Sequence, residues 1–325
     1  MTTIKVSPKL VTVFGGSGFV GRHVVRTLAA RGYLVRNACR RPELAGHLQP
    51  LGNLGQIHSV QANLRHRWSV ERAVEGADHV VNAVGILAES GRQSFNAVQE
   101  FGARAVAEAA QSVGASLTHI SAIGADVNSA SHYARSKGKG EQAVLDTVPD
   151  AVILRPSLLF GPEDEFFNRF ADMVRYSPFV PLLGGGHNRI QPVYVGDVAE
   201  AVALSANNQI TRGTIYELGG PEVLTFRQSM ERMLDVVGRR RTLVTVPWPV
   251  AQLMGSVLGA LPGNLLTGDQ VTLLRSDNVV SEAAQKEGRT LPGLGIKPET
   301  IDSILPSYLW RYRLAGQYTR VGRQA

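Results

Sequence analysis

Apolar runs alternate with amphipathic segments through the first half of the chain. LVTVF (10–14), YLVRNA (33–38), QIHSVQA (56–62), HVVNAV (79–84), SLTHIS (116–121) and AVILRP (151–156) read as strands. Helical patterns fall between them, near 19–31, 68–75, 94–113 and 135–147. This alternation predicts an α/β fold with a Rossmann-type, doubly wound parallel sheet. The second half is less regular. FNRFADMVRY (167–176) has helical spacing, PLLGGGHNRIQP (181–192) is rich in turn residues, and a helix is predicted over 197–207. A strand at TIYELGG (214–220) and a helix at 225–237 follow. We expect a main body over 1–160 to which later strands return, and a smaller, mostly helical C-terminal lobe with a docking tail over 161–325. There is no internal repeat and no low-complexity tract.

Residues 246–266, VPWPVAQLMGSVLGALPGNLL, are nearly free of charge. A helix between Pro249 and Pro262 would be about 20 Å long, too short to cross a bilayer. The ordinary expectation is a buried core helix; an apolar surface that meets a membrane or a partner is the alternative. From Ser303 onward there are four arginines, Arg311, Arg313, Arg320 and Arg323, and no acid, together with Tyr308, Trp310, Tyr312 and Tyr318. Basic and aromatic residues together suit an interfacial docking segment, and a frayed tail is equally compatible.

Composition narrows the class. The chain has 325 residues, 44 % hydrophobic and 19 % charged, which is ordinary for a globular protein able to bury a large core. Its single cysteine, Cys39, rules out a disulfide framework within the chain and suits a reducing compartment. MTTIKVSPKLVTVFGG enters a strand almost at once, so neither a signal peptide nor a transit sequence is expected. The net charge of +7 is unevenly placed. Up to residue 42 there are eight basic residues (Lys5, Lys9, Arg22, Arg26, Arg31, Arg36, Arg40, Arg41) and no acid. Such a segment attracts an anion: a phosphorylated cofactor, an acidic lipid surface or an acidic partner. Nucleic acid is not expected, because no helix-turn-helix, zinc-finger or RNP pattern is present. No metal site is expected either, since the histidines show no HExxH or paired Cys/His spacing.

The glycines of LVTVFGGSGFVG (10–21) follow a strand and open a helix. Gly15, Gly18 and Gly21 there let the backbone approach a pyrophosphate, which rests on the helix N-terminus beside Phe19 and Val20. An NAD-preferring site places an acid about 20 residues on, at the ribose 2′-hydroxyl. Here the second strand runs into NACRRPE, with Arg40 and Arg41 and no acid before Glu43. Guanidinium forks in that place favour a 2′-phosphate, hence NADP(H). Asn63 and Leu64 after the third strand are placed to bracket the adenine. Asn82-Ala83-Val84-Gly85 after the fourth makes a small-residue turn under the adenosine ribose.

Residues 131–142, SHYARSKGKGEQ, contain Tyr133 and Lys137, four apart and so on one helical face. A nearby ammonium favours the phenolate and is expected to lower the phenol from its usual pKa of about 10. The same lysine can hold the ribose hydroxyls of a nicotinamide.

Together with the NAVG turn, ILRPSLLFGP (153–162) and PVYVGDVAEAV (192–202), these motifs resemble an extended or atypical short-chain dehydrogenase/reductase. GPEDEFFNRFADM (161–173), QPVYVGDVAEAV (191–202) and LPGLGIKPETIDSIL (291–305) extend the likeness over nearly the whole chain. They resemble the NADPH-binding accessory subunits of respiratory complex I, the alpha-subcomplex subunit nine family, in a bacterial form. The resemblance implies tightly held NADPH near the junction of the peripheral and membrane arms, and a role more structural than catalytic. It implies other complex I subunits as partners, a peripheral position on the cytoplasmic side of the inner membrane, and no homo-oligomer. It places Gly15, Gly18 and Gly21 at the pyrophosphate, Arg40 at the 2′-phosphate, and Tyr133 and Lys137 at the nicotinamide ribose. Ala83, Val84, Gly85, Pro156 and Leu158 complete the cofactor set. Active relatives carry a Ser or Thr near the end of the fifth strand. HISAIGAD offers Ser121, followed by Ala122 and Ile123 where the working hydroxyl usually stands. That favours a cofactor-holding role. Two readings stay open beside it. One is an NADP(H)-dependent reductase, epimerase or dehydratase acting on a quinone precursor, sugar nucleotide or sterol-like substrate. The other is a redox sensor.

Overall fold

A computed structural model describes residues 8–259 and 266–314 of the chain. It divides into two compact units. The first takes in residues up to Arg155 together with Val198–Tyr216; the second takes in Pro156–Asp197 and the residues from Glu217 on.

Along the chain run β1 (Leu10–Phe14), α1 (Phe19–Ala30), β2 (Leu34–Cys39), β3 (Ile57–Gln61), α2 (Arg67–Val74), β4 (His79–Asn82), α3 (Phe101–Ser112), β5 (Ser116–Ile120), α4 (His132–Thr147) and β6 (Val152–Pro156). Then come β7 (Leu159–Phe160), α5 (Phe167–Tyr176), β8 (Phe179–Leu183), β9 (Arg189–Ile190), β10 (Val193–Tyr194), α6 (Val195–Ala206), β11 (Ile215–Leu218), β12 (Leu224–Thr225), α7 (Phe226–Val237), β13 (Thr242–Val246), α8 (Trp248–Gly259), α9 (Gly268–Leu273), α10 (Glu282–Lys286) and α11 (Ile301–Leu309).

The first unit is built on a seven-stranded sheet in the order β11-β6-β5-β4-β1-β2-β3. Neighbours from β1 to β6 pair in parallel. The six predicted strands all form, to within two residues of their expected ends. Apolar residues such as Val11, Val13, Val80, Val81 and Ile153 are fully buried along them, as expected of a sheet covered on both faces. The strand order reverses between β1 and β4, which opens a crevice at the carboxyl ends of these strands.

Two helices depart from the sequence expectation, both near the crevice. The helix expected over 94–113 begins with a π-helical turn at Asn96–Glu100 before continuing as α3. The wider turn lets Gln99 reach both ways. Its amide donates to the Ile86 carbonyl at 2.7 Å, and its oxygen accepts from Ser136 Oγ at 2.5 Å. Helix α4 starts three residues earlier than expected, because Ser131 caps it by accepting from the Ala134 amide. The glycines of SKGKGEQ belong to this helix for steric reasons. A Cβ on Gly140 would lie 2.2 Å from the Gln99 carbonyl oxygen, and one on Gly138 2.6 Å from the Val127 nitrogen.

In the second unit α5, α7 and α11 enclose Phe160, Phe167, Val174, Met230, Met233 and Leu305, all buried. Phe166, Phe170 and Phe226 meet edge to face beside them. Strands β8 and β13 pair in parallel. LPGLGIKPETIDSIL is a short 3-10 turn at Pro292–Leu294 followed by α11, which Thr300 caps. The Glu299 amide donates to Asp197 at 2.9 Å, joining this stretch to the GDVAEAV motif.

Two expectations about this half are corrected. Tyr308 does not face an interface. It is buried, and its hydroxyl donates to Asp164 at 2.5 Å. Burial raises the Asp164 carboxyl above its usual range, against the hydrogen bonds of Tyr308 and the Gly161 amide. Helix α8 is not a buried core helix throughout. Ala251 is buried, but Val250, Leu253 and Val257 lie on the exposed side at intervals of three and four, with Leu253 67 % exposed. No helix of the described residues is long and apolar enough to cross a membrane. Residues 260–265 of the uncharged stretch lie outside the described residues, as do Lys5, Tyr318, Arg320 and Arg323.

Candidate functional site

The glycine turn joins the end of β1 to α1. Gly15 sits at φ +80°, open to glycine at no cost, and its amide donates to the Ala38 carbonyl at 3.0 Å. A Cβ on Gly21 would lie 2.1 Å from the Gly15 carbonyl oxygen, so only glycine lets the helix close on the turn. Gly18 is the N-cap of α1, no side chain caps this end, and the first turn holds no acid. The backbone amides around Phe19 and Val20 therefore end in an anion-attracting terminus, which fits a pyrophosphate. Ala83 and Val84 lie directly against Gly15, about one van der Waals contact from where its Cβ would be. The first unit thus brings the NAVG turn and the glycine turn together. Gly21→Ala is expected to lower dinucleotide affinity at least roughly tenfold, about 1.4 kcal/mol, in a fluorescence titration. Unchanged binding would show that the turn does not set the cofactor's approach.

At the adenosine end, Arg40 and Arg41 are exposed just past β2. Arg40 Nη1 donates to Gln93 Oε1 at 2.5 Å. The Asn63 side-chain oxygen accepts from the Arg65 amide at 3.2 Å. Leu64 packs in the core with Val70, Val80 and Val106, so its side chain is committed to packing.

At the other end, Lys137 is 5 % exposed and its Nζ donates to the Ile120 carbonyl at 3.2 Å. The ammonium also lies 3.3 Å from where a Cβ of Gly85 would stand, so the NAVG turn touches the Tyr–Lys helix as well. One helical turn on, Glu141 is held by Arg155 through two bonds of 2.8 and 2.5 Å. Burial lowers the Lys137 ammonium to about 8, against the pull of Glu141. Tyr133 lies in the first turn of α4, with the ring of Phe95 edge-on at 6.0 Å. Burial pushes its phenol up to about 12. This reverses the expected lowering. The lysine is engaged by a carbonyl, and the cost of a buried phenolate outweighs its attraction.

Ser121 is 4 % exposed and its Oγ has no hydrogen-bond partner. Its amide donates to Leu154 at 2.7 Å, which fixes the strand end. Pro156 ends β6 and Leu158 follows it; both belong to the second unit.

Sequence reasoning missed His119 and its contact with Asn82. His119 is 2 % exposed and precedes Ser121 by two residues, on the same strand face. Asn82 accepts from the Val84 amide at 3.2 Å, which turns its NH2 toward His119 Nδ1 at 3.1 Å. His119 Nε2 has no partner. Burial, and then the Lys137 charge, lower this imidazole to about 3, so it is neutral. Asn82 lay inside a motif already singled out, but nothing in the sequence marked His119 as its partner. Cys39 is buried at the end of β2.

The profile of the NAD dependent epimerase/dehydratase family matches residues 11–219. The chain is 34 % identical to NADH dehydrogenase (ubiquinone) 1 alpha subcomplex subunit 9, mitochondrial, of Arabidopsis thaliana, over 96 % of this chain and 80 % of that protein. It is 29 % identical to the ceramide reductase of Caulobacter vibrioides, over 94 % of this chain and 95 % of that one. The UDP-glucose 4-epimerase of Thermus thermophilus, solved with NAD, shares the fold at a TM-score of 0.67 and 23 % identity, covering 94 % of this chain and 99 % of that chain. With its glycine turn and Tyr–Lys helix set on a parallel seven-stranded sheet, the chain belongs to the NAD dependent epimerase/dehydratase family, the extended short-chain dehydrogenases/reductases.

Proposed function

We propose that this protein is an NADPH-holding accessory subunit of a respiratory NADH:quinone oxidoreductase, bound near the junction of its peripheral and membrane arms. The observation that carries this reading is the state of the proton-transfer groups. Lys137 is fastened to the Ile120 carbonyl, the Ser121 hydroxyl is buried without a partner and followed by Ala122 and Ile123, and desolvation of the half-buried Tyr133 raises its phenol. A phenol so placed is a poor proton donor near neutrality, and two apolar side chains cannot polarise a substrate carbonyl. The subunit 9 relatives, alike over nearly the whole chain, support the same reading.

In this role the α1 terminus and Gly15–Gly21 turn bind the pyrophosphate, Arg40 and Arg41 the 2′-phosphate, and Asn63 the adenine edge. Tyr133 and Lys137 orient the nicotinamide ribose. A bound nicotinamide would supply a hydride; the residues around it hold the ring and exclude water. The exposed Val250, Leu253 and Val257 of α8 would meet the neighbouring subunit or lipid, peripherally on the cytoplasmic side of a bacterial inner membrane.

The test is a native separation of detergent-solubilised membranes from the source organism. This chain should run with the NADH–quinone oxidoreductase activity and stay with it through a salt wash. Recovery wholly in the soluble fraction would overturn the reading.

One observation favours a second reading. The ceramide reductase relative matches over 95 % of its length, and this chain keeps a Tyr–Lys pair on one helix. Such an enzyme would pass a hydride from NADPH to a ketone of a ceramide-like lipid, with Tyr133 donating the proton. Tyr133→Phe would then cut NADPH oxidation on such a ketone by about two orders of magnitude or more. Under the first reading it leaves co-migration untouched, and wild-type protein turns over no such ketone.

A further inference from the structure

Residues 86–95 link β4 to the π-helical turn ahead of α3, and their ties reach both ends of the crevice. At one end Gln93 Oε1 accepts from Arg40 Nη1 at 2.5 Å, and the Arg92 carbonyl accepts from Arg65 Nη1 at 3.4 Å. At the other, Phe95 lies edge-on to Tyr133, and Gln99 joins the Ile86 carbonyl to Ser136, the residue before Lys137. The segment is also pinned to itself. Ser90 and Gln93 exchange backbone hydrogen bonds of 3.1 and 2.9 Å, and Glu89 accepts from the Phe95 amide at 2.7 Å.

Arg40 follows β2 and Arg65 follows β3, 25 residues apart in the chain. Two adjacent residues of one segment, Arg92 and Gln93, hold a guanidinium from each. Both acceptors are neutral oxygens. Each takes one N–H of a five-donor fork and leaves its charge in full. An exposed arginine ordinarily loses side-chain freedom when it grips a ligand, and here part of that ordering is already done.

We propose that segment 86–95 selects the cofactor by gathering Arg40 and Arg65 into one receptor for a phosphate monoester, the 2′-phosphate of NADP(H). Arg65 is a direct phosphate ligand. Gln93 is a positioning residue that holds Arg40 in place. This rests on the reading that the crevice takes the phosphorylated dinucleotide, and it names two determinants that no sequence motif marks.

The test is calorimetric titration of the full chain with NADPH and with NADH at two salt concentrations. Wild type should bind NADPH more tightly. Arg65→Gln should weaken NADPH about tenfold and flatten its salt dependence; Gln93→Ala should weaken it about three- to tenfold. Neither should move NADH affinity or the melting temperature, which separates the effect from misfolding. Arg40→Ala is the reference that removes the preference. If Arg40→Ala removes it while Arg65→Gln and Gln93→Ala leave it whole, the receptor is overturned and the NADPH reading survives. If wild type binds both dinucleotides alike, the NADPH reading falls, and the receptor with it.

Discussion

Replacing Lys137 by methionine should make the folded chain more stable at pH 7 while weakening its hold on the cofactor. Burial lowers this ammonium from 10.5 to about 8. A folded value below the unfolded one means that the folded state binds the proton less readily. The cost is absent above the unfolded value, grows as pH falls from 10.5 to 8, and is complete below that. At pH 7 it amounts to about 3 kcal/mol. Methionine fills a similar volume without charge. It leaves the Ile120 carbonyl without its Nζ donor, which offsets about 1 kcal/mol. The expected net gain is about 2 kcal/mol in urea denaturation at pH 7, turning into a loss of about 1 kcal/mol above pH 10.5, where only the missing hydrogen bond remains. Tyr133 also titrates in strong alkali, but it is common to both proteins and cancels in the difference. A variant less stable than the parent at pH 7 would sink the account. So would a gain that is the same at pH 7 and at pH 11. A lysine that costs stability in the folded chain is accounted for by a site built for a ligand.

Acid should unfold this protein through two buried imidazoles. His79 and His119 are both lowered to about 3, first by burial, then by Arg212 and Lys9 for His79 and by Lys137 for His119. Burial keeps both neutral, and the hydroxyls beside His79 supply no counter-charge that would hold a proton on it. His79 lies between Ser116 Oγ at 2.6 Å and Thr118 Oγ1 at 2.9 Å, and Thr118 continues to Ser205 at 2.7 Å. Protonating His119 Nδ1 would set it donor to donor against the Asn82 amide. Because these folded values lie below the unfolded value of 6.5, the stability they contribute is present above 6.5 and is lost as pH falls toward 3. Each histidine then costs about 1.4 kcal/mol per pH unit, so the pair should give a slope of nearly 3 kcal/mol per unit below pH 6. By pH 4 the pair would have cost about 7 kcal/mol, enough to exhaust a stability at the lower end of the usual 5–15 kcal/mol. Urea midpoints measured every half unit between pH 5 and 6.5 isolate the histidines from the carboxylates. His79→Gln and His119→Gln should each remove about one proton of uptake from that slope. A slope unchanged by both variants would mean the imidazoles are already protonated in the fold.

Much of the first unit could be read from the chain because its signals are local. A strand covered on both faces declares itself as a short apolar run, and a turn that needs φ +80° at Gly15 declares itself as glycine. Hence β1 to β6, the α1 terminus and the Tyr–Lys helix stood in the sequence, as did the likeness to one family. The exposed face of α8 did not. A run without charges is the same string whether its apolar side is covered or open, and the neighbours that decide are distant in the chain. Tyr308 read as part of an interfacial tail until Asp164, 144 residues away, took its hydroxyl.

The site divides along the same line. Motifs proposed its candidate residues: Gly15, Gly18, Gly21, Arg40, Tyr133 and Lys137 were all named from their place in the sequence. What state those groups are in was decided by the tertiary structure alone. The Tyr133 phenol rises where spacing to Lys137 suggested it would fall, because desolvation depends on every atom packed around the ring. His119 and Asn82 meet only because β4 and β5 are neighbours in the sheet. Arg40 and Arg65 each bond to the 86–95 segment, a link that no spacing along the chain marks. Spacing along a chain encodes conformation, which is short-ranged. Charge, protonation and convergence depend on groups brought close by folding, and they become definite only when the fold does.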